Sequence, residues 1–312
     1  MDDNSPIWTP LSVDISSSNL SSFQEYVSNK TGQKFENYKA LHNWSVNDLP
    51  GFWKCVALFF KINFSKPYNY ILRSKKPFYK TLWFGNSMLS YAKHIERNFK
   101  TRENVILYRN EREEDTCITW NALFVKTIEI KNQLLNEGVK KGDCVVGYLS
   151  NHPITIAAFL AANSLGAVWS CCSPDFGTES VISRLGQLKP IVLIAIREYS
   201  YNGKKYSLLN RVRSIKKTIT TIKTILYCET DFESWELNAE KVFSLDSVEV
   251  EYDHPIWVLY SSGTTGKPKA ITHRTGGMIM EHYKAIALHQ NLKHGDRFFW
   301  HTTTGWMMWN YA

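Results

Sequence analysis

The sequence predicts an α/β fold: mostly parallel sheet covered by helices, preceded by a small helical cap. Two observations carry this. From about Thr81 onward, short apolar runs alternate with amphipathic stretches of helical period. Strands buried on both faces read as such continuous apolar runs. Before that point the texture differs. A serine-rich run (Ser16, Ser17, Ser18, Ser21, Ser22) leads to an aromatic stretch, Phe52-Trp53 to Phe59-Phe60, that reads as a packing helix. Residues 1–80 are therefore expected to form the cap and residues 81–312 the core.

The clearest helix is expected over 119–137. Trp120, Leu123, Phe124, Ile128, Leu134 and Leu135 recur near a 3.6 period. Thr119 is a suitable N-cap and Gly138 a suitable stop. Residues 144–149 then read as a buried strand. Pro153 suits the first turn of a second helix, which Gly166 closes. Thr178 begins a third, ending near Leu188. Residues 191–194 and 222–227 read as further strands, and 229–251 as an acidic connecting loop with a short strand.

Composition narrows the function classes. Hydrophobic residues make up 44% and charged residues 21%, the balance of a globular chain. The net charge is +8, but no block of five like charges occurs. A scattered basic surface does not form a nucleic-acid stripe, so no nucleic-acid partner is expected. The six cysteines make no CxxC pair and no Cys/His metal spacing, which fits free thiols in a reducing compartment. The start, Met1-Asp2-Asp3, is not a basic lead into an apolar stretch. The longest apolar runs fall far short of the ~20 residues that span a bilayer. A cytoplasmic protein with no membrane partner is expected; nothing in the sequence sets its oligomeric state.

Chemistry concentrates in one segment. The apolar run Ile256-Trp257-Val258-Leu259-Tyr260 leads into Ser261-Ser262-Gly263-Thr264-Thr265-Gly266-Lys267-Pro268-Lys269. Gly263 and Gly266 permit backbone turns that let N–H groups converge on an anion. Four hydroxyls add donors, and Lys267 and Lys269 add positive charge. Every part suits a polyphosphate. It is not a Walker loop: Ser261 occupies the first glycine position, and Pro268 follows the lysine where Ser or Thr is required. That failure weighs against an ordinary phosphoryl-transfer ATPase.

This string resembles the signature loop of the adenylate-forming superfamily, which includes acyl-CoA synthetases, firefly luciferase and peptide-synthetase adenylation domains. The resemblance implies a two-step reaction. A carboxylate attacks the α-phosphate of Mg–ATP to give an acyl-adenylate and pyrophosphate; the thiol of coenzyme A then displaces AMP. ATP, Mg²⁺ and CoA are the implied cofactors and substrates. In the family this loop grips the β- and γ-phosphates. That implies phosphate contacts from Ser261, Ser262, Gly263, Thr264, Thr265, Gly266, Lys267 and Lys269, with catalytic roles for Thr264, Thr265 and Lys267.

Three further segments narrow the resemblance to acetoacetyl-CoA synthetases. His301-Thr302-Thr303-Thr304-Gly305-Trp306-Met307-Met308-Trp309-Asn310 is similar to a string typical of that subfamily. The equivalent strand in acetyl-CoA synthetases shapes the acyl pocket, which implies that Trp306, Met307 and Met308 line it, with acetoacetate as the acid. Met and Trp at such spacing also serve as plain core. Ser173-Pro174-Asp175-Phe176-Gly177 is similar to a loop along the pantetheine arm of CoA, implying contacts from Pro174, Asp175 and Phe176; it also reads as a turn. Tyr201-Asn202-Gly203-Lys204 resembles the subfamily too, and implies that Lys204, with Lys205, meets CoA phosphates. No protein-built metal site is implied by the spacing.

Two departures stand out. Thr272-His273-Arg274 replaces the family's valine-histidine-serine run, so Arg274 is expected to add charge near the phosphates. The family also continues well beyond Ala312, through motifs that hold Mg²⁺ and ribose and a small C-terminal domain. The resemblance thus implies a truncated chain unable to complete adenylation alone. The alternatives are a ligase for another short acid such as acetate, or a non-catalytic nucleotide-binding fragment.

Overall fold

The computed structural model describes residues 8–97, 99, 103–112, 114–232, 235, 244–261 and 266–312. Two compact units emerge. The first gathers the described residues up to Asn63 with Asn69–Gly85 and Ile279–Phe299; the second gathers Phe64–Tyr68, Asn86–Met278 and Trp300–Ala312.

The first unit is mainly helical: α1 (Ser12–Ser16), α2 (Asn19–Thr31), α3 (Tyr38–Asn47) and α4 (Leu49–Phe59), with an antiparallel pair β1 (Tyr70–Arg73) and β2 (Leu82–Gly85). The serine run is capping sequence: Ser18 Oγ accepts from Ser21 N–H at 3.1 Å and starts α2. Asn37 and Asp48 cap α3 and α4 in the same way. The aromatic stretch is a packing helix as expected. Phe52 and Phe59 of α4 meet buried Phe23 edge-on at 6.0 and 5.3 Å.

The second unit holds β3 (Met88–Leu89), α5 (Tyr91–Glu96), the hairpin β4 (Asn104–Arg109) and β5 (Asp115–Thr119), and α6 (Trp120–Asn136). Then come β6 (Cys144–Tyr148), α7 (Pro153–Ser164), β7 (Val168–Cys172), α8 (Thr178–Leu185) and β8 (Val192–Ala195). A second hairpin, β9 (Glu198–Tyr201) and β10 (Lys204–Ser207), precedes α9 (Leu209–Thr218) and β11 (Thr224–Tyr227). After β12 (Val250–Glu251), which pairs with β3, β13 (Pro255–Ser261) and β14 (Lys269–Arg274) complete the main sheet.

That sheet has the order β11-β8-β6-β7-β13-β14. Every neighbour is parallel except β14, which runs antiparallel at one edge. The alternating pattern in the sequence is this sheet. From β6 the chain steps one way, to β7, and from β7 it crosses back to β8. Right-handed crossovers therefore place α7 on one face and α8 on the other. Helix α7 is buried almost all round, which explains its lack of a polar face. Thr119 Oγ1 accepts from Ala122 N–H at 3.2 Å, so α6 begins where its N-cap is expected.

All six cysteines are free thiols; Cys55, Cys171, Cys172 and Cys228 are buried and Cys117 is exposed. Burial pushes the Cys171 and Cys228 thiols up to about 12. No helix among the described residues is long and apolar enough to cross a membrane.

The segment 301–310, expected as a strand, is a correction. It pairs with no strand among the described residues, and a helix (Met307–Tyr311) forms from Met307. Side-chain bonds hold it instead of a ladder: buried Thr304 Oγ1 donates to Leu149 O at 2.7 Å, and Trp309 Nε1 to Asn151 Oδ1 at 2.9 Å. Arg274 is a second correction. It stands opposite Pro255, at the far end of β13 from Ser261, and donates to Asp253 at 2.8 Å. Six residues of strand, about 20 Å, separate it from the Ser261–Lys269 end. It adds no charge near the loop. His273 sits opposite Trp257, its ring 6.1 Å from the indole, and burial lowers its pKa, as in a packed structural histidine.

Two measurements probe this core. A Cβ on Gly147 would fall 2.9 Å from both Cys171 Sγ and the Trp169 ring. Gly147→Ala is expected to cost about 1–3 kcal/mol in urea unfolding; an unchanged midpoint would show the strands are not so closely packed. His152 starts α7: its Nδ1 accepts from Ile154 N–H at 3.1 Å. Burial pushes its pKa from 6.5 down to about 4. Above 6.5 neither state binds the proton; as pH falls from about 6.5 to 4 only the unfolded state does, so stability declines by up to about 3 kcal/mol. His152→Asn keeps a capping acceptor that does not titrate, so the decline of the urea midpoint with acidification should flatten.

Candidate functional site

Strands β6, β7, β8 and β13 are parallel, so their carboxyl ends share one edge of the sheet. Tyr148 at the end of β6 is level with Cys172 of β7 and Ala195 of β8. The segments leaving that edge include most of the expected site residues, the arrangement by which open α/β sheets bind ligands.

The expected phosphate segment is the connection of a hairpin. Ser261 pairs with Lys269, and seven residues join them. Ser262, Gly263, Thr264 and Thr265 lie outside the described residues. Gly266 has φ +122°, a region that favours glycine, and Lys267 and Lys269 are exposed. Both legs of the hairpin are fastened to the end of α8. Tyr260 Oη donates to Arg184 O at 2.7 Å, and Gln187 Nε2 donates to Pro268 O at 3.0 Å. Burial raises the Tyr260 pKa, so the phenol stays a donor.

The Pro174–Phe176 segment leaves β7 and is held from beneath by β6. Tyr148 is fully buried, and its Oη donates to Phe176 O at 2.9 Å, with Pro174 O at 3.1 Å. Burial raises its pKa, partly offset by Arg211. Arg211 of α9 donates to Pro174 O at 3.1 Å. Tyr199 of the β9–β10 hairpin lies near the same guanidinium and helps hold it charged, and its ring stacks on Tyr206 at 5.4 Å. Arg211 thus stands between the Pro174–Phe176 segment and the hairpin that carries Lys204. Lys204 itself is exposed. Lys205, expected to share its role, lies on the opposite face of the hairpin and pairs with Glu198 at 2.9 Å.

Phe176 joins three of the expected segments. The Arg184 guanidinium lies 4.9 Å from its ring centre, a cation–π contact, and Arg184 O holds the phosphate hairpin. On another side, a Cβ on Gly305 would fall 2.7 Å from the ring, so the segment before Trp306 approaches it as closely as only glycine permits. Of the expected acyl residues, Trp306 is 64% and Met307 39% exposed, and Met308 is half-buried. These three are not enclosed by the described residues.

A cavity of about 880 Å³ opens between the β4–β5 and β9–β10 hairpins, lined by Tyr108, Arg112, His152, Ser200, Lys205 and Phe232 among others. It lies across the β9–β10 hairpin from Lys204, and of the residues expected at the site its lining includes Lys205 alone. Among the described residues no three His, Cys, Asp or Glu side chains come together as metal ligands.

Sequence reasoning missed Tyr148, Arg184, Gln187 and Arg211. Only Tyr148 gave a signal: a tyrosine ending an apolar strand needs a partner for its hydroxyl. Tyr148→Phe is expected to cost about 1 kcal/mol and to speed amide exchange across residues 175–177. Unchanged exchange there would show that the hydroxyl does not hold the segment.

Residues 95–310 match the AMP-binding enzyme family, and residues 38–95 match the family described as Acetyl-coenzyme A synthetase N-terminus. Acetoacetyl-CoA synthetase of Macaca fascicularis is 32% identical, over 98% of this chain and 48% of that protein. Acetoacetyl-coenzyme A synthetase of Rhizobium meliloti is 30% identical, over 98% and 49%. The solved structure of acetoacetyl-CoA synthetase from Streptomyces lividans superposes with a TM-score of 0.91 at 38% identity, over 98% of this chain and 49% of that one. The chain spans about half the length of these relatives. The relatives named here are acetoacetyl-CoA synthetases, and the chain belongs to the AMP-binding enzyme family.

Proposed function

We propose that this chain carries the ATP- and CoA-handling part of an AMP-forming acetoacetate–CoA ligase. The observation that carries the reading is the glycine- and hydroxyl-rich connection from Ser261 to Lys269 at the carboxyl edge of a parallel sheet. A carboxylate resists acyl transfer because oxide is a poor leaving group. Attack on the α-phosphate of ATP releases pyrophosphate and installs AMP, a good leaving group; the CoA thiol then displaces it. Negative charge moves onto the β- and γ-phosphates in the first step, so preorganised donors there lower the barrier.

In this reading Thr264, Thr265 and Lys267 meet the departing pyrophosphate, supported by Ser261, Ser262, Gly263, Gly266 and Lys269. The tethers from Tyr260 and Gln187 restrict the hairpin at no cost during reaction. Magnesium enters with ATP as part of the substrate, held by its phosphates. Pro174, Asp175 and Phe176 lie along the CoA arm, and Lys204 meets its phosphates. Trp306, Met307 and Met308 face the acid. The relatives' names favour acetoacetate.

The test is acid-dependent exchange of labelled pyrophosphate into ATP, with acetoacetate, acetate, propionate and butyrate. It is run on the 312-residue chain and on a version extended to the length of its relatives. Preference for acetoacetate supports the substrate, preference for acetate moves it to the shorter acid, and no exchange with any acid in either version removes the ligase reading. In the extended version, Lys267→Ala and Thr265→Val should each lower exchange on the order of a hundredfold. Unchanged exchange would remove the phosphate-gripping role of this segment.

A further inference from the structure

The β9–β10 hairpin turns through Asn202 and Gly203, and Tyr201 and Lys204 form the closing pair. Both turn residues have positive φ, +52° and +71°, the two-residue turn that Asn-Gly favours. Their successive N–H groups project from the tip. In this fold both end on one carboxylate. Asn202 N–H donates to Glu111 Oε1 at 3.0 Å, and Gly203 N–H to Glu111 Oε2 at 3.2 Å. Glu111 comes from the connection between β4 and β5, so its carboxylate fills a backbone anion nest on a different hairpin.

The hairpin has few other restraints near this end. All four residues of β10 are exposed, and an isolated two-stranded ribbon is marginal in water. Tyr199, packed against the core, holds it two residues back from Tyr201. Beyond that point, the bonds to Glu111 fix the turn to the rest of the unit. Lys204 is the next residue along.

We propose that Glu111 is a positioning residue for coenzyme A: by clamping the Asn202-Gly203 turn it fixes where Lys204 presents its ammonium to the CoA phosphates. This rests on the reading of Lys204 as a CoA contact. Glu111 touches no part of the ligand. Its negative charge alone would oppose an anion nearby, so a clamp and a repelling charge predict opposite signs on its removal. A clamp restricts the volume the Lys204 ammonium explores, so less freedom is lost when a phosphate binds.

The experiment is calorimetric binding of CoA, and of pantetheine as the phosphate-free arm, to the 312-residue chain. Lys204→Ala is expected to weaken CoA binding about tenfold, the size of one charge-assisted hydrogen bond, and to leave pantetheine unchanged. Glu111→Ala should weaken CoA by a similar factor, also without effect on pantetheine. The double variant should be no weaker than Lys204→Ala within about twofold, because Glu111 acts through Lys204. Amide exchange at Asn202 and Gly203 should accelerate in Glu111→Ala while the global unfolding midpoint holds, which separates loss of the clamp from loss of the fold. Glu111→Asp, too short to reach both N–H groups, should fall between.

If Glu111→Ala binds CoA as the parent chain does, or more tightly, the clamp is overturned while the Lys204 reading stands. Losses that multiply in the double variant overturn it as well. If Lys204→Ala leaves CoA binding unchanged, or the parent chain binds no CoA, the reading of the hairpin fails and this proposal falls with it.

Discussion

Parallel alignment of four central strands is the constraint on which the rest of the structure depends. Because β6, β7, β8 and β13 point the same way, each delivers its following segment to one edge. Residues far apart in sequence meet there without any long-range motif to specify it. The buried sheet beneath is rigid, so short polar contacts at its rim suffice to fix the segments. Tyr148, Tyr260 and Arg211 do this, each with a hydrogen bond to a main-chain carbonyl or a neighbouring hydroxyl.

Phe176 shows how such a rim becomes one surface. Its carbonyl is held by Tyr148, its ring carries the Arg184 guanidinium, and Gly305 lies against its edge. One aromatic side chain therefore couples the segments assigned to CoA, to phosphate and to the acid. Movement of any one of them is felt by the other two through packing rather than through a flexible tether.

The fold was legible where local chemistry and tertiary context agree. Apolar runs marked β6, β8, β11 and β13, and Thr119, Pro153 and Gly166 marked helix ends, because burial and capping leave contiguous traces. The hairpins β4–β5 and β9–β10 were not read: β9 and β10 are polar and almost wholly exposed, and the apolar Val105-Ile106-Leu107-Tyr108 run of β4 is no more than half-buried. The stretch 301–310 looked like a strand by resemblance, yet its threonine and tryptophan side chains bond to the segment following β6 instead. The segment proposed to meet phosphate stands out in the sequence because anion chemistry needs glycines, hydroxyls and lysines side by side. Arg184, Gln187, Arg211 and Glu111 were not, because each acts through a contact that only folding creates.

The neighbouring thiols at the end of β7 have a practical corollary. A maleimide reacts with thiolate, and the Cys171 thiol, pushed up to about 12 inside the sheet, offers almost none. Exposed Cys117 is available from the start. The time course of labelling at Cys171 thus reports openings of the sheet itself, and the molecule carries a built-in clock for its own breathing.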